Sequence, residues 1–186
     1  MLVLTEKATN RVDTFTLDDG LAQPGASFPS SGLTPFGFAF AHDDVAVVSD
    51  AGSGAGTSAA SSYEVDEDGR LAVVTPALGD TQTAACWVVV PRNGRFAYTS
   101  NTGSGTISSY SISEGGHLAL LNVAAALTGT GGIPVDMAFS DNSRFLYVRE
   151  AGNDTVAGFR VGADGSLTPI GSASGVPSGV QGIAAR

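Results

Sequence analysis

The chain has 186 residues, 18 acidic against 9 basic side chains, and a formal net charge of −9. That length is one ordinary domain with enough apolar residues, 42 %, to bury a core. So acidic a surface repels nucleic-acid phosphates and anionic bilayers, and a lone cysteine, Cys86, excludes intrachain disulfides and cysteine-rich zinc sites.

In chain order, Leu2 to Thr5 reads as a strand that runs into polar Glu6-Lys7, with no signal-peptide pattern. No apolar stretch approaches the ~20 residues of a spanning helix. A soluble, cytoplasmic chain without nucleic-acid or membrane partners is the expectation. Phe36 to Phe40 is the next apolar run, followed by a turn at Ala41-His42-Asp43-Asp44. Ala85 to Val90 is continuous and apolar, as in a strand buried on both faces. Pro91-Arg92-Asn93-Gly94 turns the chain into a strand from Phe96 to Ser100. Asn101 to Gly105 is a loop, Thr106 to Ile112 a half-buried strand, Glu114-Gly115-Gly116 a hairpin, and Leu118 to Val123 a fourth strand. Val135 to Phe139 opens the same series again, and Val180 to Ala185 has the character of another first strand.

The series is a repeat. An aromatic precedes a turn glycine four times: Phe15 and Gly20, Tyr63 and Gly69, Tyr110 and Gly116, Phe159 and Gly165, with the glycines 49, 47 and 49 apart. Arg95-Phe96-Ala97-Tyr98 returns as Arg144-Phe145-Leu146-Tyr147, again 49 later. Four antiparallel strands at this period, with no helical periodicity, are the signature of β-propeller blades. The fold class is therefore all-β, a single propeller domain over residues 1–186 with about four blades. The count starts at the second strand of a blade, so Val180 to Ala185 is expected to complete the blade that Leu2 to Thr5 opens.

Pro134 to Val148, Gly152-Asn153-Asp154-Thr155-Val156 and Ala163 to Pro169 together resemble the seven-bladed propeller lactonases, which include 6-phosphogluconolactonase-like proteins and propeller muconate-lactonising enzymes. Leu4 to Phe15 and Thr83 to Val90 are similar to a bacterial branch of the same family. The resemblance covers essentially the whole chain and implies its C-terminal half, about four blades. A half-ring exposes the flanks of its terminal blades, so a homodimer completing a ring is expected.

The resemblance also implies a catalytic pair: an arginine starting a first strand stabilises an oxyanion, and a glutamate ending the neighbouring second strand acts as base. Glu6 matches the glutamate best, Glu150 and Asp50 end other second strands, and Asp136 begins a first strand. The first-strand starts carry Pro35-Phe36, Ala85-Cys86 and Val135-Asp136, with no arginine among them. Glu6, Asp136 and Glu150 are the candidate catalytic residues; Lys7, Asp50, Trp87, Asn101 and Arg149 are candidate substrate contacts. A small-molecule lactone, from a sugar or an acyl-homoserine, is the expected partner. A non-catalytic binding propeller is the rival reading, and muconate-type lactonisation ranks last because it needs the missing arginine.

Other motifs fall away. His42 and His117 sit in turns on the face opposite the mouth, and no G-x-S-x-G elbow occurs. Cys86 has no local base, and an inert buried thiol is expected. Glu64 to Gly69 lacks the spacing of a calcium loop and reads as an Asp-Gly hairpin turn. Gly52 to Gly56 and Gly103 to Gly105 lack the residues of a phosphate loop and read as rim loops. No metal and no cofactor are expected.

Overall fold

The structure, a computed structural model, describes residues 1–42 and 44–186; Asp43, in the turn expected after the first apolar run, lies outside them. Among the described residues every regular element is a strand. Among these residues no helix is long and apolar enough to cross a membrane.

Strands β1 (Leu2–Glu6), β2 (Arg11–Phe15) and β5 (Ala26–Pro29) pair in that order as a three-stranded sheet. A small hairpin of β3 (Leu17–Asp18) and β4 (Leu21–Ala22) extends its outer turn. Three four-stranded antiparallel sheets follow. The second blade holds β6 (Pro35–His42), β7 (Val45–Asp50), β8 (Ala59–Val65) and β9 (Leu71–Gly79). The third holds β10 (Ala85–Val89), β11 (Phe96–Asn101), β12 (Thr106–Ile112) and β13 (Leu118–Leu127). The fourth holds β14 (Pro134–Phe139), β15 (Phe145–Glu150), β16 (Thr155–Val161) and β17 (Leu167–Ser174). The chain is thus an arc of a β-propeller, with the first strand of each complete blade innermost.

The burial pattern follows from stacking the blades. Every residue of β7 and of β11 is buried, because each of these sheets is covered on both faces. Val47, Ala60, Val88, Ala97 and Tyr110 fill the space between the second and third blades. Phe96, Tyr98, Ile107, Met137, Leu146 and Val148 fill the space between the third and fourth. The marker glycines of the repeat explain themselves here. Gly20, Gly69, Gly116 and Gly165 all have φ between +77° and +84°, a left-handed turn that side chains resist.

Two expectations are corrected. The first blade has three strands, because residues 180–185 join no sheet. The arc is open, with Leu2 and Leu4 on the outward face of β1 about half exposed. The last residues stay beside the fourth blade from which they emerge: Val176 N–H donates to Asp154 O (3.3 Å) and Ile183 N–H to Asp136 Oδ2 (3.0 Å). The outer strand β13 also runs to Leu127, four residues beyond the predicted end, with ladder irregularities around Ser109 absorbing the extra length.

Candidate active site

The mouth of the arc is the end where β6, β10 and β14 begin and β1, β7, β11 and β15 finish. Each inner strand carries a register break just inside its start, between Pro35 and Phe38, Ala85 and Trp87, and Pro134 and Asp136. Such bulges re-aim side chains at the rim of a sheet. Thr34 and Ala84, which lead into two of these strands, have φ of 55° and 58°, a strained conformation for residues with a Cβ. Gly37 lets β6 and β10 approach: a Cβ there would stand 2.9 Å from Trp87 Cα. Ser49 ties the two together, accepting from Gly37 N–H (3.0 Å) with its hydroxyl near the carbonyls of Gly37 (3.1 Å) and Cys86 (3.2 Å).

On this frame sits an aromatic shelf with charge beside it. The Phe36 and Trp87 rings lie 5.0 Å apart at 56°, and Lys7 Nζ is 5.0 Å from the Phe36 centroid. Thr5, at the end of β1, donates its hydroxyl to Phe36 O (2.6 Å) and so fixes β1 against β6. Thr5, Lys7, Pro35 and Phe36 line a depression of about 270 Å³. Glu6, between Thr5 and Lys7 in sequence but on the other face of β1 with Leu2 and Leu4, is exposed, and one of its carboxylate oxygens accepts from the Thr9 hydroxyl. Phe36 was not singled out by its sequence position; only the packing of β6 against β10 reveals its partnership with Trp87.

Asp136 is half-buried with both oxygens engaged, by Met137 N–H (2.8 Å) and Ile183 N–H (3.0 Å). Arg149 stands opposite it in the ladder but is 1 % exposed, and its guanidinium is directed to Asp154 Oδ1 (3.1 Å) and the carbonyls of Glu150 and Pro177. Arg149 is therefore inaccessible to a substrate in this arrangement.

The other acids expected at the rim are inside the protein. Asp50, Asn101 and Glu150 occupy one equivalent position, the end of the second strand, and are at most 3 % exposed. Each is bound to the third strand of its own blade. Ser61 donates to Asp50 Oδ2 (2.5 Å), Asn101 Nδ2 donates to Thr106 and Ser108 hydroxyls (3.0 and 2.8 Å), and Thr155 donates to Glu150 Oε2 (3.0 Å). Burial pushes the Asp50 carboxyl up to about 7 against the lowering effect of Ser61, and raises that of Glu150. The position is a structural clamp in these three blades. Its burial arises from segments outside the strand itself, such as Gly32 against Asp50, 18 residues back, which no local pattern announces. Asp80, also unannounced, is fully buried and accepts from Ser108 (2.8 Å), Tyr110 (3.1 Å) and Gln82 N–H (2.9 Å).

The opposite face holds the larger cavity, about 960 Å³, lined by Phe40, His42, Asp44, Glu64, Asp66 and Glu67 among others. Its acidic collar opposes a developing oxyanion, so it is the poorer place for acyl chemistry despite its size. His42 is half-buried at the end of β6, not in an exposed turn, whereas His117 is exposed. Cys86 is half-buried. In the Glu64–Gly69 segment, Arg70 engages Asp66 (3.4 Å) and Asp68 (2.8 Å), as in an ordinary hairpin turn.

Sheet order, blade stacking and a mouth carrying an aromatic shelf define the chain as an arc of a β-propeller with a ligand-sized depression. Residues 58–182 match the family described as lactonase, 7-bladed beta-propeller, and the chain belongs to that family. A search of curated proteins found no match. Among solved structures, a protein from Lactobacillus plantarum superposes with a TM-score of 0.73 at 21 % identity, over 92 % of this chain and 56 % of its own. A periplasmic gluconolactonase from Pseudomonas aeruginosa gives 0.72 at 20 %, over 92 % and 51 %. A putative 6-phosphogluconolactonase from Bacteroides uniformis gives 0.71 at 20 %, over 96 % and 57 %. These likenesses show the shared fold, and the chain spans a little over half the length of each structure.

Proposed function

We propose that the chain supplies the catalytic mouth of a lactone hydrolase, with the depression beside Phe36 as the substrate site. The observation that carries this reading is the exposed Glu6 carboxylate at the chain position before Lys7 of the Lys7–Phe36–Trp87 shelf, in a chain of the lactonase family. Glu6 serves as base because Asp136 has both oxygens engaged and Asp50 and Glu150 are buried. It takes a proton from water, whose oxygen adds to the lactone carbonyl, and the Lys7 ammonium stabilises the oxyanion. Collapse breaks the ring C–O bond, the proton passes to the departing alkoxide, and a hydroxy acid leaves. The flat apolar shelf suits a sugar ring face or a short acyl chain. The net charge of −9 disfavours a phosphorylated lactone.

A second reading, a binding propeller without catalysis, is favoured by the first-strand starts, which carry no arginine, and by the burial of three of the four second-strand ends. Proton release in a pH-stat separates the two. Gluconolactone, its 6-phosphate, and short and long acyl-homoserine lactones form the panel. Saturable release is expected with an uncharged lactone, and Glu6→Gln is expected to lower kcat by about two orders of magnitude with Tm unchanged. An undiminished rate in Glu6→Gln overturns the assignment of the base. Absence of release from every lactone leaves the binding reading.

A further inference from the structure

At the mouth, the residues that follow an outer strand tie it to the next blade, and one such tie is missing. Between the second and third blades the slot is filled by side chains that follow β9. Asp80 accepts from Ser108 (2.8 Å) and Tyr110 (3.1 Å) of the third blade, and Gln82 Oε1 accepts from Thr106 (2.8 Å). Between the third and fourth blades shorter groups stand in these places. Thr128 is the counterpart of Asp80, since their N–H groups donate to Gly105 O and Ser58 O, equivalent carbonyls 47 residues apart. The Thr128 hydroxyl turns back onto Gly105 O (2.9 Å) in its own blade. Thr130 follows it as Gln82 follows Asp80, and is exposed. Across the slot, 49 residues on from Ser108 and Tyr110, come Ala157 and Phe159, which carry no hydroxyl. The result is a cavity of about 440 Å³ between two complete blades.

Glu150 belongs to the wall of this cavity. It is 3 % exposed, Thr155 donates to Oε2 (3.0 Å), and Oε1 is buried with no hydrogen-bond partner among the described residues. Asp50 and Asn101, its counterparts, also leave one oxygen unpartnered, but protein closes over them. Gly32 lies on the Asp50 carboxylate, and Asn101 Nδ2 donates to Thr106 and Ser108, whose hydroxyls in turn engage Gln82 and Asp80. In the fourth blade a carboxylate oxygen lacks a donor beside open volume, and a ligand hydroxyl supplies one.

Among the described residues of the wall Glu150 alone is ionisable, so no cation is there to hold an anionic ligand. One carboxylate also falls short of the oxygen set that a calcium ion takes. The other polar side chains are neutral, Asn153, Thr130 and Ser172 at the exposed rim, while Phe159 and Leu127 add apolar surface. A few neutral polar groups on an apolar wall select an uncharged ligand with both characters.

We propose that this slot binds a neutral polyhydroxylated ring of monosaccharide size, with one ring hydroxyl donating to Glu150 Oε1 and an apolar ring face toward Phe159 and Leu127. The ligand takes the place that Asp80 and Gln82 fill one interface earlier, and it joins the third blade to the fourth as they join the second to the third. The site is separate from the depression at Phe36, and no bond is made or broken in it.

Isothermal titration calorimetry with methyl β-glucopyranoside, which has no lactone to open, tests this. One site per chain is expected, with a roughly millimolar Kd. Glu150→Asn gives the fourth blade the residue that the third already uses, and is expected to weaken binding about tenfold. Thr130→Gln, at an exposed position, restores the side chain found at Gln82 and is expected to abolish binding. Should Glu150→Asn alter the circular dichroism spectrum, Thr130→Gln alone decides. Absence of heat from the glucoside overturns the proposal. So does binding that both variants leave intact, which places the sugar elsewhere, or heat from calcium chloride alone that Glu150→Asn removes.

Discussion

Asp50 is the residue at which chemistry and stability pull hardest against each other. Its side chain is fully buried, Gly32 lies against it so closely that a Cβ would stand 2.0 Å from its Cγ, and Oδ1 has no partner. Its carboxyl is raised from 3.8 to about 7. Between those values the folded chain binds more protons than the unfolded one. The contribution of Asp50 is therefore fully present below about pH 4 and is lost as pH rises through 7. Asn101 holds the equivalent place as a neutral amide, so Asp50→Asn puts a natural solution of the next blade into this one. The variant is expected to raise Tm at pH 8 by about 4 °C or more and to leave it nearly unchanged at pH 4; equal shifts at both pH values in differential scanning calorimetry would refute the account. The sequence shows that acids end second strands, but not that three of the four equivalent positions are sealed. At the fourth such position Glu6 is exposed.

At the scale of the element, each blade is held to the next by a hydrophobic face and, among other hydrogen bonds, by a hydroxyl aimed at a hairpin carbonyl. The aromatic and glycine markers were legible because a left-handed hairpin turn tolerates little else, and the strands were legible from their apolar runs. The donors were not. Thr14 and Ser62 do the task from one repeat position, just before the marker aromatics Phe15 and Tyr63, but the third interface takes its hydroxyl from Tyr98 on a second strand, so no single periodic residue betrays the latch. Tyr98→Phe keeps the ring packing against Phe139 (centroids 5.8 Å apart) but leaves the Gly165 carbonyl without its donor. Its expected cost is ~1–2 kcal/mol in urea unfolding, and a loss below a few tenths would remove the latch as a source of stability.

For the whole molecule, the sequence displays a propeller but misplaces its ending. Val180 to Ala185 has the composition of an inner strand, yet a strand needs an edge within reach, and β1 lies at the far end of the open arc from the fourth blade. Stacked repeats stabilise one another through nearest neighbours, so protection in such an array is graded by the number of covered faces. Amide exchange is expected to be slowest in β11 and β12 of the twice-covered third blade and fastest in β1. Equal protection in β1 and β11 would show that the blades open together rather than in sequence.

The latch has a bearing on how chains of this kind change length. Each complete interface includes one hydroxyl-to-carbonyl latch, and the successive carbonyls lie 47 and 49 residues apart. A duplication or deletion of one whole period hands every remaining blade a neighbour of the same make, whereas a change of half a period strands a donor on one side and a bare turn on the other. Inheritance by whole periods is therefore the mutational route that keeps the stack intact, and no single interface specifies how many blades a descendant must have.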